Sequence, residues 1–292
     1  MNKISAIVSV KWLAEKLSTS PKNFRVLDGS WHLPIANRNA RAEYEAKHIP
    51  GAQFFDIDEC ADKSTKLSHM LPKPSEFEAY VGKLGISNDT HVVVYDNNDK
   101  FPLFSAQRVW WTFRTFGHDK VSVLEGGLRK WCNENNPVTD SVEKVPEEKF
   151  KATFRPNLVK NFEDVESNQF SSRAFTLVDA RPAGRFEGTA PEPRPDIKSG
   201  CIPNSVNLPF MDVMDLERQT FKSKEELQKI FEQRGIDLTK PIIGSCGSGI
   251  SACLVALAAY VCGKDDVAVY DGSWTEWYQR AKPEQMKNVP AD

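Results

Sequence analysis

Apolar positions in this chain come as short dense runs separated by helix-periodic stretches, and the whole alternation is written twice. In the first half the runs are VLD from Val26, AQFFD from Ala52, VVVYD from Val92 and VSVLEGG from Val121, with helical patterns over residues 76–84 and 105–116. In the second half they are LVDA from Leu177, SVNLP from Ser205, PIIGS from Pro241 and VAVYDGS from Val267, with helical patterns over 224–234 and 251–261. Runs that are apolar at nearly every position suit strands covered on both faces. Their alternation with helices predicts an α/β fold in which each half is a parallel sheet flanked by helices on both faces. Ser9, followed by Val10, Trp12, Leu13 and Leu17, predicts a capped first helix.

The two halves align closely enough to be a duplication. With an offset of 146, Gly117, Asp119 and Val121 fall on Gly263, Asp265 and Val267, and Trp131 falls on Trp277. Upstream the offset becomes 150, pairing Gly85 with Gly235 and Asp96 with Cys246. The change lies inside one loop: eight residues separate Asp96 from Ser105, but four separate Cys246 from Ser251. This division predicts an N-terminal domain over 1–137, a polar, proline-bearing linker over 138–157 and a C-terminal domain over 158–292.

Composition narrows the field without naming a reaction. Apolar residues make up 40% and charged residues 27% of the 292, which suits a globular protein with a core in each half. A net charge of −2 offers no general attraction for nucleic acid or for an anionic membrane surface, and neither is expected as a partner. No apolar run approaches the length of a membrane span. The first residues lack a secretory signal, so a cytoplasmic location is expected, with mitochondria as the alternative. Six cysteines with no CxxC spacing predict reduced thiols, not a disulfide framework or a zinc site.

Candidate chemistry concentrates at Cys246. It ends an apolar run and is followed by Gly247, Ser248, Gly249, Ile250 and Ser251 before a helix rich in Ala and Leu. Backbone N–H groups converge at such a strand-to-helix turn and stabilise a thiolate or an anion carried on the sulfur. A lone Cys after a strand is ordinarily a small core residue. The glycine loop, the helix and the Asp in the sister half argue otherwise here. A tyrosine-phosphatase loop would need Arg six residues after the Cys, and that position is Ala252. The other cysteines lack such a loop and are expected to be core. Asp96 is expected to be a structural helix-entry residue. Arg181, Arg185 and Arg194 lie in a Pro- and Gly-bearing stretch that reads as an insert absent from the first half.

The duplicated pattern with a thiol only in the second half resembles the two-domain rhodanese family of sulfurtransferases. The likeness covers nearly the whole chain, including HIPGAQFFDID, SHMLP, GRFEGTAPEPR and YDGSW-x-EWY. Within the family, the CGSGIS loop is similar to the neutral loops of its 3-mercaptopyruvate-using members, whereas thiosulfate-specific loops carry basic residues after the Cys. Ser251 stands where Thr is commoner, and Phe104 where Tyr is expected. The resemblance implies sulfur transfer from 3-mercaptopyruvate through a Cys246 persulfide to a thiol acceptor such as thioredoxin, with pyruvate released and sulfide a further product. It implies catalytic roles for Cys246, Ser248, His69 and Asp58, the last three as a charge relay. Arg185 and Arg194 become substrate-binding residues, together with the loop positions Gly247, Gly249, Ile250 and Ser251. Arg181 is left open. No metal or organic cofactor is implied, and a monomer or weak dimer is expected. A thiosulfate:cyanide sulfurtransferase and a non-catalytic interaction module on the same fold are the alternatives.

Overall fold

The structure, a computed structural model, describes residues 4–19 and 21–291. Its contacts divide into two compact units. Unit 1 comprises Met1–Lys63, Leu71–Arg155 and Met214–Phe221, and unit 2 comprises Ser64–Met70, Pro156–Val213 and Lys222–Asp292.

Unit 1 runs β1 (Ile7–Val8), α1 (Val10–Ser18), β2 (Phe24–Asp28), α2 (Ala40–Ala46), β3 (Gln53–Phe54), α3 (Pro74–Lys83), β4 (His91–Tyr95), α4 (Ala106–Thr115), β5 (Val121–Leu124) and α5 (Gly127–Asn133). Its five strands are parallel and lie in the order β1-β5-β4-β2-β3. The hydroxyl of Ser9 accepts the N–H of Trp12 and starts α1 as expected. Val26, Val93, Tyr95 and Leu124 from the sheet pack with Leu13, Leu128 and Trp131 from the helices. Burial of these side chains is what holds the layers together.

Unit 2 repeats the plan. It runs β6 (Val159–Lys160), α6 (Phe162–Ser167), β7 (Thr176–Asp179), α7 (Ala183–Phe186), β8 (Val206–Asn207), then α8 (Lys224–Gln233), β11 (Ile242–Ser245), α9 (Ala252–Val261), β12 (Ala268–Tyr270) and α10 (Ser273–Arg280). A two-stranded hairpin, β9 (Met214–Asp215) and β10 (Thr220–Phe221), falls between β8 and α8 in the chain but groups with unit 1. The sheet order β6-β12-β11-β7-β8 is the unit 1 order with each strand replaced by its sister. The edge strands β1 and β6 are two residues each and carry no run long enough to be read as a strand from sequence.

Two expectations need correction. Residues 138–155, taken as part of a linker, are a strap along unit 1. Thr139 bridges to His48, Glu148 N–H donates to the Gly82 carbonyl at 2.9 Å, and Thr153 N–H donates to the Phe116 carbonyl at 2.9 Å. Phe150 is buried against Phe77 and His118. A Cβ at Gly82 would stand 2.6 Å from the Glu148 carbonyl oxygen, so the strap lies where only a glycine leaves room. Nor is the arginine-bearing stretch an insert. Unit 1 carries α2 between β2 and β3 as unit 2 carries α7 between β7 and β8.

Candidate active site

Cys246 is the first residue past β11, and its loop is fixed from both sides. Gly249 has φ +81°, a left-handed conformation that glycine adopts without penalty, and this turns its N–H onto Cys246 Sγ at 3.2 Å. Beyond Ser251, the N-cap residue, α9 begins. Gly244 in β11 admits the first turn of α9, because a Cβ there would meet the Ala252 carbonyl oxygen at 3.0 Å. The thiol thus sits at the end of a strand and the start of a helix, where backbone N–H groups and the helix dipole favour negative charge.

The back of the loop is tied down by the start of α10. Trp274 N–H donates to the Cys246 carbonyl at 2.9 Å. Thr275 donates to the Gly247 carbonyl twice, from its N–H at 3.1 Å and from its hydroxyl at 2.7 Å. Cys246 N–H donates to Ser273 Oγ at 3.1 Å, and that hydroxyl donates to the Tyr270 carbonyl. With these carbonyls held against α10, the loop peptides keep one orientation. Cys246, Ser248 and Ile250 are all buried, and Ser251 is half-buried. Ser273 and Thr275 were not singled out from the sequence. Their motif, YDGSW-x-EWY with Thr275 at the variable position, was visible, but nothing in its spacing says that its hydroxyls brace a loop 27 to 28 residues earlier.

The sister position confirms what such a turn accommodates. Asp96 Oδ2 accepts the backbone N–H groups of Phe104, Ser105 and Ala106, each at 2.9 Å. A carboxylate therefore occupies the helix N-terminus of unit 1, which is the helix-entry role expected of it. Phe104 stacks between Trp31 and Phe101, with ring centroids 6.3 and 6.0 Å away.

The three arginines separate into two kinds. Arg181 is buried and held by two carboxylates, with Nη2 2.6 Å from Asp179 and Nη1 2.8 Å from Glu192. Its Nη2 also donates to the Gly200 carbonyl, and the guanidinium lies 4.7 Å from the Trp274 ring centroid. Burial works against its charge, but Asp179 and Glu192 outweigh this and hold its pKa above the ordinary value. Arg181 is thereby structural, which resolves the role left open. Arg185, on α7, and Arg194 are half-buried, and among the described residues neither guanidinium forms an ion pair or side-chain hydrogen bond. Asn288 donates to the carbonyl of Phe186, the last residue of α7, at 3.3 Å.

Asp58 and His69 fall in different units. His69 belongs to Ser64–Met70, which groups with unit 2 and therefore with Cys246 and Ser248, although the sequence places it in the first half. It is buried, with a left-handed φ of +66°, an uncommon conformation for a residue with a Cβ. Asp58 belongs to unit 1, where its Oδ2 accepts Trp31 Nε1–H at 2.9 Å.

A sequence profile for the rhodanese-like domain matches residues 9–134 and again 161–280. The chain belongs to the rhodanese family. It is a sulfurtransferase, and its relatives fall on both sides of the donor question. Mouse 3-mercaptopyruvate sulfurtransferase is 49% identical over 96% of this chain and 94% of its own length. Mouse thiosulfate sulfurtransferase is 52% identical over the same shares. Among solved structures, a 3-mercaptopyruvate sulfotransferase from Escherichia coli superposes with a TM-score of 0.82 at 36% identity, covering 93% of this chain and 99% of that one. The rhodanese pattern thus accounts for the fold and for the class of enzyme, while identity leaves the sulfur donor to the site itself.

Proposed function

We propose that this sulfurtransferase takes sulfur from 3-mercaptopyruvate and passes it, through a Cys246 persulfide, to a thiol acceptor. The supporting observation is the loop itself: Cys246 in a turn aimed by the Gly249 N–H, followed by Gly247 and Ser248, neither of them charged. Cys246 thiolate attacks the substrate sulfur. As the new S–S bond forms, the C–S bond breaks and its electron pair leaves on the pyruvate enolate. Arg185 and Arg194 hold the carboxylate and keto oxygens, which suits guanidinium groups not consumed by internal ion pairs. Ser248, backed by His69 and Asp58, moves the proton that converts the enolate to pyruvate. An acceptor thiolate such as that of reduced thioredoxin then attacks the outer sulfur and restores Cys246. A second thiol attacking the acceptor persulfide would release sulfide. The expected setting is the cytoplasm or the mitochondrion, as a monomer or weak dimer.

A thiosulfate donor is the second reading, favoured by the 52% identity to a thiosulfate sulfurtransferase. Mass spectrometry after incubation with 3-mercaptopyruvate should find one added sulfur on the peptide carrying Cys246. An adduct that persists in Cys246→Ser, or none in the native chain, sinks the persulfide. A kcat/KM higher for thiosulfate than for mercaptopyruvate transfers the donor assignment to the second reading.

A further inference from the structure

We infer that Glu192 is a specificity-determining residue, which sets a buried negative charge beside the Cys246 loop and so disfavours dianionic sulfur donors. The inference rests on the sulfurtransferase reading of that loop. Glu192 has a side chain only 4% exposed, and Arg181 holds its Oε1. Its other oxygen faces the loop: Oε2 is 4.0 Å from where a Cβ on Gly247 would stand, and it is the one atom that such a Cβ would meet within that distance. Gly247 adjoins the sulfur-carrying residue. Its backbone is not left-handed and the space around its Cα is open, so neither strain nor crowding demands glycine there.

Charge accounting gives the consequence. Asp179 and Glu192 share the single guanidinium of Arg181, all three side chains being 4% exposed or less, so these three groups by themselves carry a formal charge of −1, whereas Arg185 and Arg194 attract either donor. Away from water such a charge is weakly screened. Thiosulfate brings two negative charges to the loop. When Cys246 thiolate takes its outer sulfur, the S–S bond breaks and the electron pair leaves on sulfite, itself a dianion. Mercaptopyruvate brings one carboxylate charge, so the same field opposes it less. A cationic side chain at position 247 would neutralise Glu192, and a glycine leaves its charge in force. Repulsion of the wrong donor by a fixed charge is an economical form of discrimination.

The test compares kcat/KM for both donors in the native chain and in Glu192→Gln, which keeps an oxygen for Arg181 and removes the charge. The thiosulfate-to-mercaptopyruvate ratio should rise about tenfold, through the thiosulfate value. An unchanged ratio overturns the inference, as does an equal fall for both donors, which is what a merely structural role predicts. If Glu192→Gln does not fold, Glu192→Asp retains the ion pair but draws the charge back from Gly247. A rise in the same ratio is then expected, and an unchanged ratio overturns the inference. A native chain that prefers thiosulfate would instead defeat the donor proposal alone, because the Glu192 effect is read as a change relative to the native ratio.

Discussion

Cys246 Sγ and Asp96 Oδ2 stand at the same point of two sister units, the first accepting the Gly249 N–H and the second three backbone N–H groups from the turn that starts a helix. In unit 1 the acceptor is a carboxyl oxygen with three donors at 2.9 Å. In unit 2 it is the Cys246 sulfur, with the Gly249 N–H at 3.2 Å. The duplicated turn presents backbone N–H to its occupant, a carboxylate in one unit and a thiol in the other.

Removing the carboxyl group from unit 1 therefore leaves three backbone N–H groups, those of Ser105 and Ala106 buried and that of Phe104 half-buried, without their acceptor. Asp96→Ala is expected to destabilise the protein by about 2 kcal/mol, in the range of a lost helix cap with unsatisfied donors. Asp96→Asn, which retains an acceptor oxygen, should lose less. Urea unfolding of both variants checks the order.

Thr275 offers a way to loosen the Cys246 loop without touching the thiol. Thr275→Val keeps the shape and deletes the hydroxyl that donates to the Gly247 carbonyl at 2.7 Å. With one brace gone, the loop peptide no longer keeps one orientation, and kcat should fall about tenfold. Steady-state kinetics beside an unchanged circular dichroism spectrum would establish this, while native kcat would show that the backbone bond from Thr275 suffices.

The arginines should separate in the same way by experiment. Arg181→Met strands Asp179 and Glu192 as buried charges and is expected to cost about 3–5 kcal/mol of stability. Arg185→Ala and Arg194→Ala remove guanidinium groups that serve no internal ion pair, so stability should hold while KM for mercaptopyruvate rises about tenfold. Thermal melts paired with kinetics distinguish the two outcomes.

Asp28 makes the stability of unit 1 depend on pH. Burial raises its pKa from 3.8 to about 7, hydrogen bonds from Ser30 and Tyr95 offset part of this, and Asp96 adds to it. Because the folded value lies above the unfolded one, its contribution is fully present below about 4 and is lost as pH rises to about 7. Asp28→Asn should accordingly match the native chain at pH 4 and exceed it at pH 8, by at most on the order of 4 kcal/mol. His91 and His118, both lowered by burial to about 4, act in the opposite sense. They withdraw stability as pH falls from about 6.5 to about 4 in native and variant chains alike, and so cancel from the comparison. Denaturant midpoints at the two pH values decide it.

Much of the fold was legible because strands buried on both faces must be apolar at almost every position. Val92–Tyr95 and Ile242–Ile243 announced themselves on that ground, and the Gly loop after Cys246 announced the turn. Residues 138–155 were misread because a polar, proline-bearing strap held by backbone bonds has the composition of a linker. Its anchors, Gly82 and Phe150, become meaningful only once the Glu148 carbonyl is seen against the first and His118 against the second. The arginines were misjudged as an insert because α7 is four residues long and leaves no periodicity to read.

By itself the sequence determined the duplicated α/β architecture and the family, since local runs, turn glycines and motif order are properties of the chain. Tertiary structure alone decided that Arg181 is bound between two carboxylates, that Thr275 braces Gly247, that His69 groups with the thiol's unit, and that Glu192 faces the loop. These depend on which distant groups share a buried space. Charge pairing and hydrogen bonding act over a few ångströms there, whatever the separation along the chain.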